Sequence, residues 1–173
     1  LDVLPLNILL NVEIKGMGGN DTATAERVAP VLHEKGRLHQ SFISGGVASL
    51  AVVANYEAQA GIEIKTNNLD RQGGNVPAYI ATTIANGNDY IQLQSSSEFP
   101  TPAEIQSLEE AGVTINYYFS DNRNNIGTLF NDGVDFVLTN DPVHIMGAAL
   151  DLDIVPLLPI YRGDFNADGR VDS

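Results

Sequence analysis

The chain has 173 residues, 43% hydrophobic and 18% charged, with a formal net charge of −13 and no cysteine. That balance suits one sizeable globular core and excludes a disordered chain, disulfides and thiolate metal sites, while no apolar run approaches the ~20 residues of a membrane helix. Only nine Lys and Arg stand against 22 Asp and Glu, which argues against nucleic acid as a partner because phosphate contacts need clustered basic side chains.

Leu1 to Leu10 lacks a basic leader and is broken at Pro5, so it makes a poor signal peptide and the chain reads as starting in mid-domain. The apolar run Leu6 to Leu10 and the alternating Asn11-Val12-Glu13-Ile14-Lys15 predict a buried strand. Alternation places Asn11, Glu13 and Lys15 on one face and Val12 and Ile14 on the other. Charged groups at i and i+2 on a mostly buried strand are costly to desolvate unless paired or bound. They are therefore either a solvated strand end or a site.

Gly16 to Asp21 follows as a loop, and Thr22 to Glu34 as a helix with Ala25, Val28, Val31 and Leu32 at helical spacing. Arg37 to Ser44 holds a short apolar core at Phe42 and Ile43, Val47 to Gln59 is a second helix, and Gly61 to Thr66 a strand. Asn67 to Asn75 reads as a polar loop, Val76 to Ala85 as a third helix, and Asp89 to Leu93 as a strand before the serines at 95–97. Thr101-Pro102-Ala103-Glu104 is a capping box with proline in the first turn, and its helix stops at Gly112. Val113 to Phe119 is a strand, Asn124 to Asp132 a helix closed by Gly133, Val134 to Thr139 a strand, and Asp141-Pro142 opens a last helix through Leu150.

About six strands alternating with helices predict an α/β fold of parallel βαβ units, either a barrel or a doubly wound sheet. In both, functional groups gather at the C-terminal ends of strands, where Glu13 and Lys15 fall. A barrel of this kind needs eight strands, so its N-terminal strands would be missing.

Asn11-Val12-Glu13-Ile14-Lys15-Gly16, Gln40-Ser41-Phe42 and Gly133-Val134-Asp135-Phe136-Val137-Leu138-Thr139-Asn140-Asp141-Pro142 together resemble the glycerophosphodiester phosphodiesterase family, of phospholipase-C-like barrel type. That family carries an I-E-I-K strand, an S-S-F strand and a closing G-V-D-G-I-I-T-D-x-P, in this order and at similar spacing. Ala111 to Ile115 also falls where the family has its A-H-x-x-G-L-x-V stretch. The resemblance covers residues 1–151, as the C-terminal two-thirds of such a barrel. It implies hydrolysis of a small phosphodiester to glycerol phosphate and an alcohol, with a divalent metal (Mg or Ca) held by carboxylates and two histidines moving protons. A bound metal would also let so acidic a chain take an anionic substrate. By carry-over Glu13 is a metal ligand, Lys15 the charge partner of the phosphate in the catalytic site, and Tyr118 a substrate-pocket residue, against the plainer reading of a half-buried strand aromatic. Ile62-Glu63-Ile64-Lys65 nearly repeats the tetrapeptide, but falls where the family has an ordinary strand, so Glu63 and Lys65 read as structural or pocket-rim residues.

The departures are as informative. The family's H-R-G, E-N-T, E-x-D and H-D segments are absent, Gln92 stands where many relatives have His, and His33, His39 and His144 read as surface or helix-end residues. The expectation is an inactive excerpt of an active parent enzyme. A phospholipase-C-like lipid phosphodiesterase, or a non-catalytic barrel or docking module, are the alternatives.

The tail carries a second pattern. Residues 152–162, with Pro156 and Pro159, form a linker, and 163–173 resemble the first half of a dockerin-type calcium repeat. Asp164, Asn166, Asp168, Arg170 (through its carbonyl) and Asp172 fit a Ca²⁺ loop with its turn at Gly169, though the closing ligand of a twelve-residue loop would fall past Ser173. Such repeats imply a docking partner and an extracellular, periplasmic or cell-surface location.

Overall fold

Strand and helix alternate along the chain as the periodicity predicts. The computed structural model describes residues 1, 3–5, 8–15, 21–95 and 97–154, so the linker beyond 154 and the calcium-loop positions lie outside the described residues. Six strands and six α-helices occur among those residues, and the strands are parallel, as expected for an α/β chain. The chain divides into two compact units at Asn67 and Asn68.

The first unit holds β1 (Leu10–Glu13), α1 (Asp21–Glu34), β2 (Ser41–Gly45), α2 (Val47–Ala60) and most of β3 (Lys65–Asn68). β1 runs parallel to β2 with Asn11 opposite Phe42 and Glu13 opposite Ser44. The intervening residues Ile14, Ile43 and Ile64 pack with Ala25, Ala29 and Leu32 of α1 and Leu50 and Val53 of α2. Burying one such Ile or Leu side chain is worth about 1.5–3 kcal/mol, so this face holds the unit together.

Three local expectations fail here, each for a physical reason. The first strand is neither long nor buried: it starts at Leu10, Ile8 and Leu9 are exposed, and Asn11 and Glu13 face solvent. Its approach is fixed by polar groups instead. Buried Gln40 donates from Nε2 to the carbonyls of Pro5 (3.0 Å) and Ile8 (2.8 Å), and Arg37 holds the Leu1 carbonyl (2.9 Å) and Gln40 Oε1 (2.7 Å). The third strand lies downstream of the expected Gly61–Thr66, and its Asn67 and Asn68, expected in a loop, are fully buried. In α1, Val31 lies off the Ala25–Ala29–Leu32 stripe and is exposed.

The second unit contains α3 (Val76–Ala85), β4 (Tyr90–Gln94), α4 (Pro102–Glu110), β5 (Thr114–Tyr118), α5 (Ile126–Asn131), β6 (Phe136–Leu138) and α6 (Pro142–Leu150). Its parallel register sets Gln92 opposite Asn116 and Asn116 opposite Phe136. Ile91, Leu93 and Ile115 pack against Tyr79 and Ile80 of α3, Ile105 and Leu108 of α4 and Leu129 of α5. The capping box forms as expected: Thr101 Oγ1 accepts from Glu104 N, and Glu104 accepts from Thr101 N (2.7 Å). The stretch expected as one helix before Gly133 is a 3₁₀ turn at Arg123–Asn125 followed by α5. Tyr79 couples helix to strand: its hydroxyl meets the carbonyls of Asn68 and Gln92 and accepts from Gln92 N (3.2 Å). Burial raises its pKa to about 12.

In each unit the helices pack on one face of the strands, which favours barrel-type winding over the doubly wound alternative. The turn into β6 depends on Gly133, whose φ is +95° and where an added Cβ would lie 2.5 Å from Ile105 Cγ2. Gly133→Ala is expected to lower stability by about 2 kcal/mol through left-handed strain and overpacking, read as a fall in the urea midpoint. An unchanged midpoint would show that the turn relaxes freely.

Candidate functional site

In the first unit, chemistry collects where the strands end. Glu13 is the last residue of β1 and Lys15 lies two beyond it, with Lys15 Nζ 3.6 Å from Glu13 and both side chains substantially exposed. Ile14 between them is buried against the helices, which keeps the charged pair on the helix-free side. The repeated tetrapeptide is placed differently. Glu63 precedes β3 and Lys65 is its first residue, so that pair (2.8 Å apart) sits where a strand begins. Lys65 holds the Glu63 carboxyl below its usual range by hydrogen bonding and charge.

A polar row lies on the same side of the strands as Glu13. Ser44, its register partner, donates to Asn11 Oδ1 (2.6 Å) and accepts from Asn67 Nδ2 (2.9 Å). Asn67 is fully buried, and its Oδ1 has no hydrogen-bond partner among the described residues. Nothing in the sequence reading singled out Ser44 or Asn67. The signal was alternation: with Ile43 and Ile64 on the helices, residues 44 and 67 must face away.

Among the described residues no group of three or more His, Asp or Glu converges to hold a metal ion. Glu13 offers one carboxylate, and its charged neighbour is the Lys15 ammonium, so the described residues do not by themselves make a metal centre. The histidines lie elsewhere. His33 lies in the last turn of α1 with Nδ1 3.0 Å from Tyr56 Oη, and His39 precedes β2 at the strand's N-terminal end. His144 lies in the first turn of α6, where its backbone N–H donates to Asp141.

In the second unit the helix-free side of the strands is layered. Tyr90 and Phe136 meet edge to face at 6.2 Å between centroids. Gln92, Asn116 and Phe136 stand in one register row, and Gln94, Tyr118 and Leu138 in the last. Tyr118 stands at the C-terminal end of β5 and is 46% exposed, about half-buried. Its ring lies 5.3 Å from that of Phe119. Asn116 is fully buried, with neither amide atom hydrogen bonded among the described residues. Gln92 accepts from Arg71 Nη2 (2.5 Å).

No protein-family model matches the chain, and no curated protein matches it in sequence. Solved structures do. One is a protein of Silicibacter pomeroyi named as a glycerophosphoryl diester phosphodiesterase, with a TM-score of 0.65 and 13% identity over 83% of this chain and 51% of that one. Another is a glycerophosphodiester phosphodiesterase of Parabacteroides distasonis, with a TM-score of 0.60 and 11% identity over 85% of this chain and 58% of that one. The chain therefore shares the α/β fold of these structures and spans a little over half their length.

The rim after β5 and β6 is organised by Asp121. Its carboxylate accepts from Thr139 Oγ1 (2.8 Å), Asn140 N (2.8 Å) and Asn140 Nδ2 (3.0 Å), and these bonds hold its pKa below the ordinary 3.8. A carboxyl lowered in the folded state adds stability above its unfolded pKa and loses it as pH falls through the folded value. Asp121→Asn is thus expected to flatten the acid limb of stability below about pH 5, read from urea midpoints at each pH. Identical limbs in both proteins would contradict this role.

Proposed function

We propose that the chain carries the phosphate-binding part of a phosphodiesterase acting on glycerophosphodiesters, with Glu13 and Lys15 at its centre. One observation carries the choice of residues. Of two near-identical Glu-x-Lys segments, the first ends a strand and the second begins one, and in parallel α/β folds ligands gather at strand C-termini. The likeness to phosphodiesterase structures supports the class of substrate at the level of fold.

Lys15 supplies a point charge for a phosphate oxygen, and its exposed pairing with Glu13 is weak enough to be exchanged for a ligand. Glu13 offers one oxygen ligand to a divalent cation whose other ligands come from outside the described residues. When bound, such a cation neutralises charge on the phosphate. His33 and His39 both lie away from Glu13's end of its strand, which leaves proton transfer to the leaving alkoxide without a histidine in that unit. The 173 residues alone are therefore expected to bind phosphate esters without turning over a diester.

Titration of the chain with glycerol 3-phosphate in the presence of Mg²⁺ tests this. Lys15→Met is expected to weaken binding by about tenfold, the scale of one charged hydrogen bond, while Lys65→Met leaves it unchanged. Equal losses in both variants would sink the assignment, and appreciable hydrolysis by the chain would refute its inactivity.

The C-terminal pattern extends the proposal. Asp164, Asn166, Asp168, the Arg170 carbonyl and Asp172 form a Ca²⁺ loop of the dockerin type in a modular protein of the cell surface, periplasm or exterior, displayed to a docking partner. With these five ligands the expected dissociation constant is about 10⁻⁴–10⁻³ M, and Asp168→Ala abolishes calcium binding in calorimetry. Calcium uptake unaffected by that variant would exclude the loop.

A further inference from the structure

We propose that the exposed face of α6 pairs with the same face of a second copy of this chain, as two antiparallel helices about a two-fold axis. The inference goes beyond the phosphodiesterase reading and does not depend on it.

The helix is apolar on two sides. Residues 142–150 contain no Asp, Glu, Lys or Arg, in a chain of net charge −13. One side is spent on the fold: Ile145 and Ala148 are buried with Ile126, and Phe130, Val137 and Ala149 pack around them. At about 100° per residue, Val143, Met146, Gly147 and Leu150 line the opposite side. Val143 is 82% exposed, Leu150 59% and Met146 55%. A surface helix ordinarily turns a polar face to water, and one that is apolar on both faces belongs in contact on both.

The exposed face is complementary to itself. A two-fold axis between positions 146 and 147 sets Val143 against the second copy's Leu150, and Leu150 against its Val143. Met146 then meets its own copy on one flank of the axis, and Gly147 its own copy on the other. Gly147 permits a close approach, since a Cβ built there would meet only Arg123 Nη1, at 3.7 Å. The polar groups agree with this register. Exposed His144 and Asp151 lie on the same flank as Gly147, and Asp151 continues the helical backbone as its C-cap. Antiparallel pairing therefore leaves His144 only about 3 Å along the helix axis from the second copy's Asp151. That carboxylate accepts from Arg123 Nη2 and has lone pairs left for an imidazole N–H. A membrane surface suits the face less well, because Asp151 and Asp153 follow the stripe directly and the whole chain is acidic. Such a contact buries on the order of 500 Å² per copy, below the ~800 Å² of a stable pair, so the dissociation constant is expected at about 10⁻⁵–10⁻⁴ M.

Sedimentation equilibrium of the 173-residue chain, from about 5 µM to about 1 mM, tests this through a reversible monomer–dimer curve. Val143→Glu is expected to weaken dimerisation at least about tenfold, since it places a charge in the contact. Its urea midpoint stays unchanged because Val143 is exposed in the single chain. Should that variant not fold, Met146→Glu carries the same expectation. His144→Glu, facing Asp151, is expected to weaken the dimer about threefold to tenfold. Val31→Glu, at an exposed apolar position of α1, leaves it unaltered. The chain has no cysteine, so Met146→Cys is expected to give a disulfide-linked dimer under mild oxidation, whereas Val31→Cys does not. A chain that stays monomeric to about 1 mM, a dimer untouched by Val143→Glu, or one lost in Val31→Glu would each overturn the proposal. So would failure of Met146→Cys to cross-link, or sedimentation of a monomeric chain with phosphatidylcholine vesicles.

Discussion

A parallel strand beside its crossover helices can give them only one face, and the rest of this chain follows from that constraint. Ile14, Ile43 and Ile64 go to α1 and α2, and Ile91, Leu93 and Ile115 go to α3, α4 and α5. Strict alternation then sends Glu13, Ser44, Asn67, Gln92 and Asn116 the other way, whatever their polarity. A one-residue slip in β4 or β5 would put an isoleucine where an amide now stands and an amide against the helices. The apolar face thus sets the register, and the register sets where the chemistry lies.

The entry into β1 shows how firmly that placement is held. Gln40 and Arg37 use buried side chains to fix the Leu1, Pro5 and Ile8 carbonyls, so the extended strand is confined to four residues and ends at Glu13. Charge at a strand end is partly solvated, and an exposed pair at 3.6 Å contributes about 0–1 kcal/mol. On the proposed reading that weakness favours function, since a phosphate arriving at Lys15 would displace little. A deeply buried pair would lose far more on being separated.

Much of the scaffold was legible in the sequence because its signals are local. The Thr101–Glu104 capping box, Asp141-Pro142 at a helix start and the alternation around Ile91 and Ile115 each act within a few residues, and each formed as expected. The third strand was not legible. Asn67 and Asn68 carry turn propensity, and only partners far along the chain, Ser44 and Thr83, make them strand residues. The apolar run before β1 misled in the opposite sense, since Ile8 is held through its carbonyl while its side chain stays exposed. For the site, Glu13 and Lys15 were visible as an odd charge pattern. Ser44, Asn67 and Asn116 were not, because a polar residue on a strand declares itself only once its face is known.

The stretch from Gly133 to Pro142 separates what identifies the fold from what could act. Gly133 makes the turn, Val134 is buried in the core, and Asp135 accepts from Ile115 N (2.6 Å), joining β6 to β5. Thr139 and Asn140 grip Asp121, and Asp141 caps α6 with Pro142 in its first turn. Each of these residues has a structural task, so the longest segment behind the resemblance reports architecture. The short Glu13-x-Lys15 segment is weak as a pattern, since the chain contains it twice. Its meaning comes from standing at the end of a strand, and that position is a property of the fold which the longer motif helps to build.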